Sequence, residues 1–257
     1  MPAMKFPERI NEHARGEKFD NLLVIPITQT GAINGREDAI TAMTAGKRIL
    51  HVGCLDHIPL IDEKIKSGIW FHKILTDSAE TCLGIDINQE GIDYVRNSYD
   101  VTNIINANLM TGEGCEQFNT QDWDIAIFGE VLEHIDNPVF FLSQFRKFSQ
   151  GRVKSIIVTV PNAFRRANVL GTFRSRERVN SDHFYWFTPY TLLRVLFQSG
   201  WHTRTLEHCQ FGKPQGIIGR MKWAVISRWP MLADDLVATA DLEAIDSKKP
   251  AAEDRGR

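Results

Sequence analysis

Between residues 48 and 240 the chain alternates short, continuous apolar runs with stretches of helical period. Arg48-Ile-Leu-His-Val52, Thr81-Cys-Leu-Gly-Ile-Asp86, Val101–Ile105, Asp124-Ile-Ala-Ile-Phe128, Val153–Val160 and Trp201–His208 read as six strands, and Leu236–Ala240 as a seventh. These runs lack the apolar–polar alternation of a sheet with one wet face, so they predict strands covered on both sides. Helices are predicted over Ile58–Thr76, broken at Gly68; over Gln89–Ser98, where Ile92, Val95 and Arg96 share a helical spacing; and over Pro138–Phe148 and Pro189–Ser199. The last two carry proline in the first turn, where its missing N–H costs nothing. Strand–helix alternation of this kind predicts an α/β fold, a Rossmann-like and mostly parallel sheet with helices on both faces.

The ends are less regular. Residues 1–45 read as an N-terminal extension, with a short strand over Asn21–Thr28 interrupted by Pro26 and a helix over Gly35–Ala45 leading into the main domain at 46–245. Residues 246–257, charged and small, read as a flexible tail. The 30 Lys and Arg against 32 Asp and Glu leave a formal charge of -2, so no global basic excess points to nucleic acid. Four scattered cysteines without a CxxC argue against a zinc ribbon and a disulfide framework. No apolar run reaches the roughly 20 residues of a membrane helix, and the polar start resembles no secretory signal, so a cytoplasmic location is expected.

In a parallel sheet, ligands bind beyond the carboxyl ends of the strands, and the chemically suggestive residues fall there. Gly53 follows strand one and lets the backbone turn tightly, although a simple strand-ending glycine reads equally well and a GxGxxG fingerprint is absent. Asp86 ends strand two, where a carboxylate can grip a ribose diol, or else cap the next helix. Asn106 and Asn108 follow strand three, facing a base or serving a turn. After strand four, Glu130, Glu133 and His134 have the spacing of one helical face, which would suit proton transfer or a divalent cation, or merely align the next helix.

Read in order, HVGC, GIDIN, DWDIAIFGEVLEHIDNP, IIVTVPNAF and DHFYWFTPYTLLRVLFQSGW over residues 47–210 resemble the class I S-adenosylmethionine-dependent methyltransferases. They are most similar to the branch sharing EVLEH and DHxxxFTPxTL blocks, which includes small-molecule O-methyltransferases of the ubiquinone-pathway type. The resemblance implies a seven-stranded sheet whose last strand is antiparallel, with S-adenosylmethionine as cofactor. It implies the methionine end along Gly53, Cys54, Leu55, Asp56 and His57, the ribose on Asp86 and Ile87, the adenine near Asn108 and Leu109, and Gly129 and Glu130 walling the methyl group. The sequence departs from the pattern at His51, where an acid is usual, at Leu55, Asp56 and His57 in place of a glycine-rich turn, and at Asn108 in place of Asp. Asp56 is the candidate to restore the lost charge.

On the acceptor side, the long connection at 163–187 carries Arg165, Arg166, Arg174, Arg176 and Arg178. Guanidinium forks suit anionic groups, while a solvated loop reads equally well. His134, His183 and Glu130 are the candidates for proton transfer, and Tyr185 or Trp186 for stacking on a sugar or ring. Gly216–Trp229 reads as an apolar, basic-flanked helix facing the core, a membrane or a partner subunit. The expected function is methyl transfer to a small-molecule or saccharide acceptor, anionic in one version and methylated at oxygen, with no metal ligand assigned and a homodimer compatible with the sequence. Two alternatives stand beside it. One is a non-catalytic binding or partner subunit of the same fold. The other is an RNA 3′-end methyltransferase with Glu130, Glu133 and His134 as metal ligands. The missing GxGxxG argues against a nicotinamide enzyme.

Overall fold

In the computed structural model the chain is described for Met4, residues 6–27 and 34–212, Pro214 and residues 216–242. The elements run α1 (Glu8–Ala14), α2 (Arg36–Thr44), β1 (Arg48–Val52), α3 (Ile58–Lys66), α4 (Phe71–Ser78), β2 (Thr81–Asp86), α5 (Gln89–Tyr99), β3 (Ile104–Asn106), β4 (Trp123–Gly129), α6 (Pro138–Phe148), β5 (Val153–Pro161), α7 (Arg166–Thr172), α8 (Pro189–Gln198), β6 (Trp201–Cys209), α9 (Gly216–Arg228) and β7 (Asp235–Leu242). The strands form one sheet in the order β3-β2-β1-β4-β5-β7-β6. β1 to β5 pair in parallel, and β7 runs antiparallel between β5 and β6. The order reverses between β1 and β4, where a ligand crevice is expected.

Burial on both faces is what makes the strand sequences continuous. Ile49, Leu50, Ala126, Ile127, Phe128, Ile156 and Ile157 are all buried, and neighbours along one strand serve opposite layers. Leu50, Ala126 and Phe128 join one cluster with Phe141, Phe145 and Trp201, while Ile49, Ile127 and Ile157 join another with Ile40 and Leu75. Phe128 meets Phe141 and Phe145 edge-on, an arrangement that aligns ring edges with ring faces.

Several boundaries differ from those read in the sequence. β3 begins at Ile104, because Asp100 takes a left-handed turn after α5 and the intervening residues only return the chain to the sheet. Asn103 then donates to the Cys82 carbonyl and to Thr76, fixing the strand's entry. Ile58–Thr76 is two helices, separated at Gly68 (φ +66°). The strand expected over Asn21–Thr28 does not form over its described residues: Leu22 and Val24 are exposed, while Leu23, Ile25 and Ile27 face inward. At the β6 edge of the sheet, the Met4 N–H donates to the Leu206 carbonyl. Residues 246–257 lie outside the described residues.

The N-terminal segment is docked on the sheet's helices. Ile10 and Ala14 of α1 pack on Leu193 of α8, and Arg194 and Gln198 donate to the carbonyls that end α1. α2 is held at its start by the Arg36 N–H, which donates to the Gln210 carbonyl, while the Gln210 N–H donates to Asn34.

Two histidines replace polar chemistry expected near the donor crevice with a buried pair. His51 of β1 and His72 of α4 place their Nδ1 atoms 3.3 Å apart. Gly84 makes room, since a Cβ there would lie 2.9 Å from the His72 ring. Burial pushes His51 well below the usual imidazole range and His72 down to about 4. Unfolded histidines bind protons near 6.5 while these stay neutral, so the unfolded state gains protons first as pH falls and stability drops across that window. His72 alone accounts for about 3 kcal/mol between about pH 6.5 and 4. Thermal unfolding at about pH 7 and pH 5 is expected to show a smaller acid-induced loss in a His72→Leu variant than in the native chain.

Candidate functional site

The ends of β1 and β2 are tied together by one carboxylate. Asp86 accepts the Leu55 N–H on Oδ2 (3.0 Å) and the Asn88 N–H on Oδ1 (3.0 Å), so it braces the turn after β1. Burial raises its pKa while the same N–H groups lower it. Each carboxylate oxygen keeps a further lone pair for a ligand hydroxyl. The cap of α5 is Asn88, which accepts from the Gly91 N–H, so Asp86 is not the cap. Gly53 has φ +67°, and a Cβ on it would sit 2.7 Å from Val131. Any larger residue would close the crevice against the β4 loop. Ile87 stands free beside Asp86 at 73% exposure.

The remaining residues expected to line the donor are placed less directly. Cys54 and Leu109 are buried, their side chains facing the core, which leaves only backbone for a ligand. Asp56 is paired with Lys64 of α3 at 2.5 Å, so its charge is already engaged. His57 is exposed at the start of α3. Asn108 accepts from the Met110 and Thr111 N–H groups, which is turn chemistry.

Beyond β4 the expected single helical face does not exist. Glu130 adopts a left-handed conformation (φ +57°), and a short 3-10 turn begins only at Leu132. The three residues therefore diverge. Glu130 turns to β5 and α2: it accepts from the Thr159 hydroxyl (2.9 Å) and lies 3.2 Å from Arg36. Arg36 also stands 3.6 Å from Asp235 at the start of β7, with its guanidinium over the Phe211 ring. Glu133 points inward with no exposed surface, and neither carboxylate oxygen has a hydrogen-bond partner among the described residues. Burial, then the nearby Glu130 charge, pushes its pKa up to about 9, and Asp235 is raised for the same two reasons.

His134 faces the 163–187 connection, where its ring lies edge-on to His183 with centroids 4.6 Å apart. Ligand atoms of Glu133, His134 and His183 all lie within 4.8 Å of one another. His183 Nδ1 is buried without a partner among the described residues. Burial, and then His134 and Arg165, hold the His183 pKa below its usual range. The segment is fastened by the Phe184 N–H, which donates to the Glu133 carbonyl. An open cleft of about 530 Å³, lined by His134, Ser181, Asp182, His183 and Phe184, lies beside the cluster.

Of the two aromatics expected to stack on an acceptor, Tyr185 is tethered through its hydroxyl and Trp186 has its ring covered. The Tyr185 hydroxyl donates to the Asp136 carbonyl, and the Arg165 guanidinium covers the Trp186 ring at 4.4 Å. Conversely, Arg36 and Asp235 escaped the sequence reading. A cation in the first turn of a helix opposes the macrodipole, and that unfavourable position is the one local sign that Arg36 has a tertiary partner.

Neither a family profile nor a curated protein sequence matches the chain. In three dimensions it is similar to solved methyltransferases. A chain of the structure described as the complex between the Haloferax volcanii Trm112 methyltransferase activator and the putative methyltransferase superposes with TM-score 0.50 and 13% identity, over 80% of this chain and 88% of that one. The small RNA methyltransferase HEN1 superposes with TM-score 0.50 and 16% identity, over 87% of this chain but 28% of that one. Magnesium protoporphyrin IX methyltransferase (ChlM) from Synechocystis PCC 6803 gives TM-score 0.49 and 12% identity, over 80% and 82%. At such identities the likeness is one of fold: the chain has a seven-stranded, Rossmann-like architecture that it shares with these structures.

Removing Arg36 leaves Glu130 and Asp235 without their counter-charge, so Arg36→Leu is expected to cost about 3 kcal/mol in denaturant unfolding. Adding Glu130→Gln to that variant is expected to restore part of the loss, because one uncompensated charge disappears.

Proposed function

We propose that the chain transfers a methyl group from S-adenosylmethionine to an oxygen of a small-molecule or saccharide acceptor. The observation that carries this reading is the adjacency of two half-sites through one loop. Val131 lies against Gly53 of the braced β1–β2 crevice, and Glu133 and His134 follow it within the same turn. The fold likeness supports the donor assignment, and the residues at the crevice fit it. Gly53 leaves the backbone open, Asp86 retains acceptor capacity toward a diol, and Ile87 offers an apolar surface to a purine.

S-adenosylmethionine supplies an electrophilic methyl group on a sulfonium, so the protein's work is alignment and exclusion of water. A histidine of this chain would take the acceptor's hydroxyl proton as the oxygen receives the methyl group from the sulfonium, which leaves as a thioether. His183 fits the role of base: burial holds its pKa down and so favours the neutral imidazole, and the cleft opens beside it. His134 orients it edge-on. Glu130 acts at a distance, holding Arg36 and the loop. The exposed Arg174, Arg176 and Arg178 favour an anionic acceptor.

A second reading rests on the two unpartnered oxygens of Glu133 and the unpartnered His183 Nδ1. A divalent cation fits the donor set of Glu133, His134 and His183, with Glu130 kept away by Arg36. Bound there, such an ion would polarise the acceptor hydroxyl, and the histidines would serve as ligands instead of bases. That version is shared with the RNA 3′-end alternative, so an acceptor screen includes RNA ends.

Calorimetric titration with S-adenosylhomocysteine is expected to give micromolar binding, weakened about tenfold or more by Asp86→Ala. Failure of the folded native chain to bind would leave the fold as a binding or partner scaffold. With an acceptor in hand, His183→Gln is expected to lower kcat by about a hundredfold or more. Loss of turnover in a chelator, restored by manganese in the native chain but not in Glu133→Gln, would select the cation version.

A further inference from the structure

α9 presents an apolar stripe that no part of the described chain covers. Ile217 (71% exposed), Ile218 (84%) and Met221 (65%) lead a face completed by Ala224 and Val225, and the exposed Trp229 follows at the helix end. At about 100° per residue these helical positions span about 120° of the circumference. The opposite face is the one that docks: Ile226 is buried, and it packs with Trp223 and Ala233. The stripe is therefore not a core face displayed by accident, since the helix has its core contacts on the other side. Several large apolar side chains exposed together on one helix mark an interaction surface.

The charges beside the stripe select the partner. Arg220 flanks one border and Lys222 the other, with Arg228 at the end, and α9 contains no acidic residue. Lys222 faces Asp234 at 3.4 Å, while Arg220 and Arg228 have no carboxylate partner among the described residues. An apolar stripe bordered on both sides by long cationic side chains is the pattern of a helix lying in the plane of an anionic bilayer. Its aliphatic face sits among the acyl chains and its cations reach the headgroups. A two-fold dimer through the same face would oppose like charges, and nucleic acid would gain little from exposed isoleucines.

The position adds to the argument. α9 joins the carboxyl end of β6 to the start of β7, and Asn162, which follows β5, donates to the Met231 and Ala233 carbonyls just beyond it. The stripe thus stands at the edge of the sheet that carries Glu130, Glu133 and Asp235.

We infer that α9 is an interfacial anchor that docks the carboxyl edge of the sheet onto an anionic lipid surface. The test is co-sedimentation of the full chain with vesicles of pure phosphatidylcholine and of phosphatidylcholine mixed equally with phosphatidylglycerol. Binding is expected only to the anionic vesicles, weakening several-fold at high salt. The surface double substitution Ile218→Asp, Met221→Asp is expected to reduce it about tenfold or more, and Arg220→Glu, Arg228→Glu by a similar factor. Circular dichroism and unchanged melting verify that these exposed changes leave the fold intact. Absence of binding to anionic vesicles, or binding indifferent to both pairs of substitutions, overturns the anchor. A dimer in sedimentation that the Ile218, Met221 pair dissociates also overturns it, by showing that a second copy covers the stripe.

Discussion

Arg36 is the positive charge around which the carboxyl edge of the sheet is arranged. Glu130 reaches it from the end of β4 and Asp235 from the start of β7, while its own backbone is pinned to Gln210 beyond β6. Four elements that are remote in sequence are thereby fixed around one largely buried guanidinium. The cost of taking these charges out of water is recovered only if every partner stays in place. That condition explains the left-handed Glu130: the backbone accepts an unfavourable conformation because the side chain and N–H are both held, by Arg36 and by Thr159.

The same turn separates two carboxylates that chemistry could otherwise use together. Glu130 is spent on the ion cluster, and Glu133, three residues on, is buried beside two imidazoles. An acid in that setting holds its proton, whereas an ion or a hydrogen-bond donor arriving among His134 and His183 would meet a carboxylate with nothing else to bind. The donor half of the site shows the opposite economy. Asp86 accepts one backbone N–H on each oxygen and keeps a further lone pair on each, so it ties the ends of β1 and β2 together while retaining acceptor capacity.

How much of this was legible follows from the kind of signal each part leaves. The strands were legible because burial on both faces removes alternation and leaves unbroken runs, and β7 was visible for the same reason. The two helices between β1 and β2 read as one broken pattern, since only Gly68 marks their separation. Positions of Gly53, Asp86 and His183 followed from strand ends and motif order. The geometry of Glu130, Glu133 and His134 did not, because regular spacing presumes a regular backbone and one left-handed residue destroys the periodicity. Trp186 read as a free aromatic face because nothing in the spacing shows that Arg165, earlier in the same connection, folds back over its ring, and the Tyr185 hydroxyl is held by a carbonyl 49 residues away. Asn108, ambiguous in sequence, proved to serve its own turn.

β7 lies between β5 and β6 although it follows both in the chain. Until residues 235–242 are made, β5 and β6 lack the partner that each pairs with in the folded sheet, and the edges it will fill stay open. The gap, one strand in from the β6 edge of the sheet, is closed by a strand that is made after both of its neighbours. A nascent chain is therefore held in a state with two sticky edges for the time needed to add α9 and the turn after it.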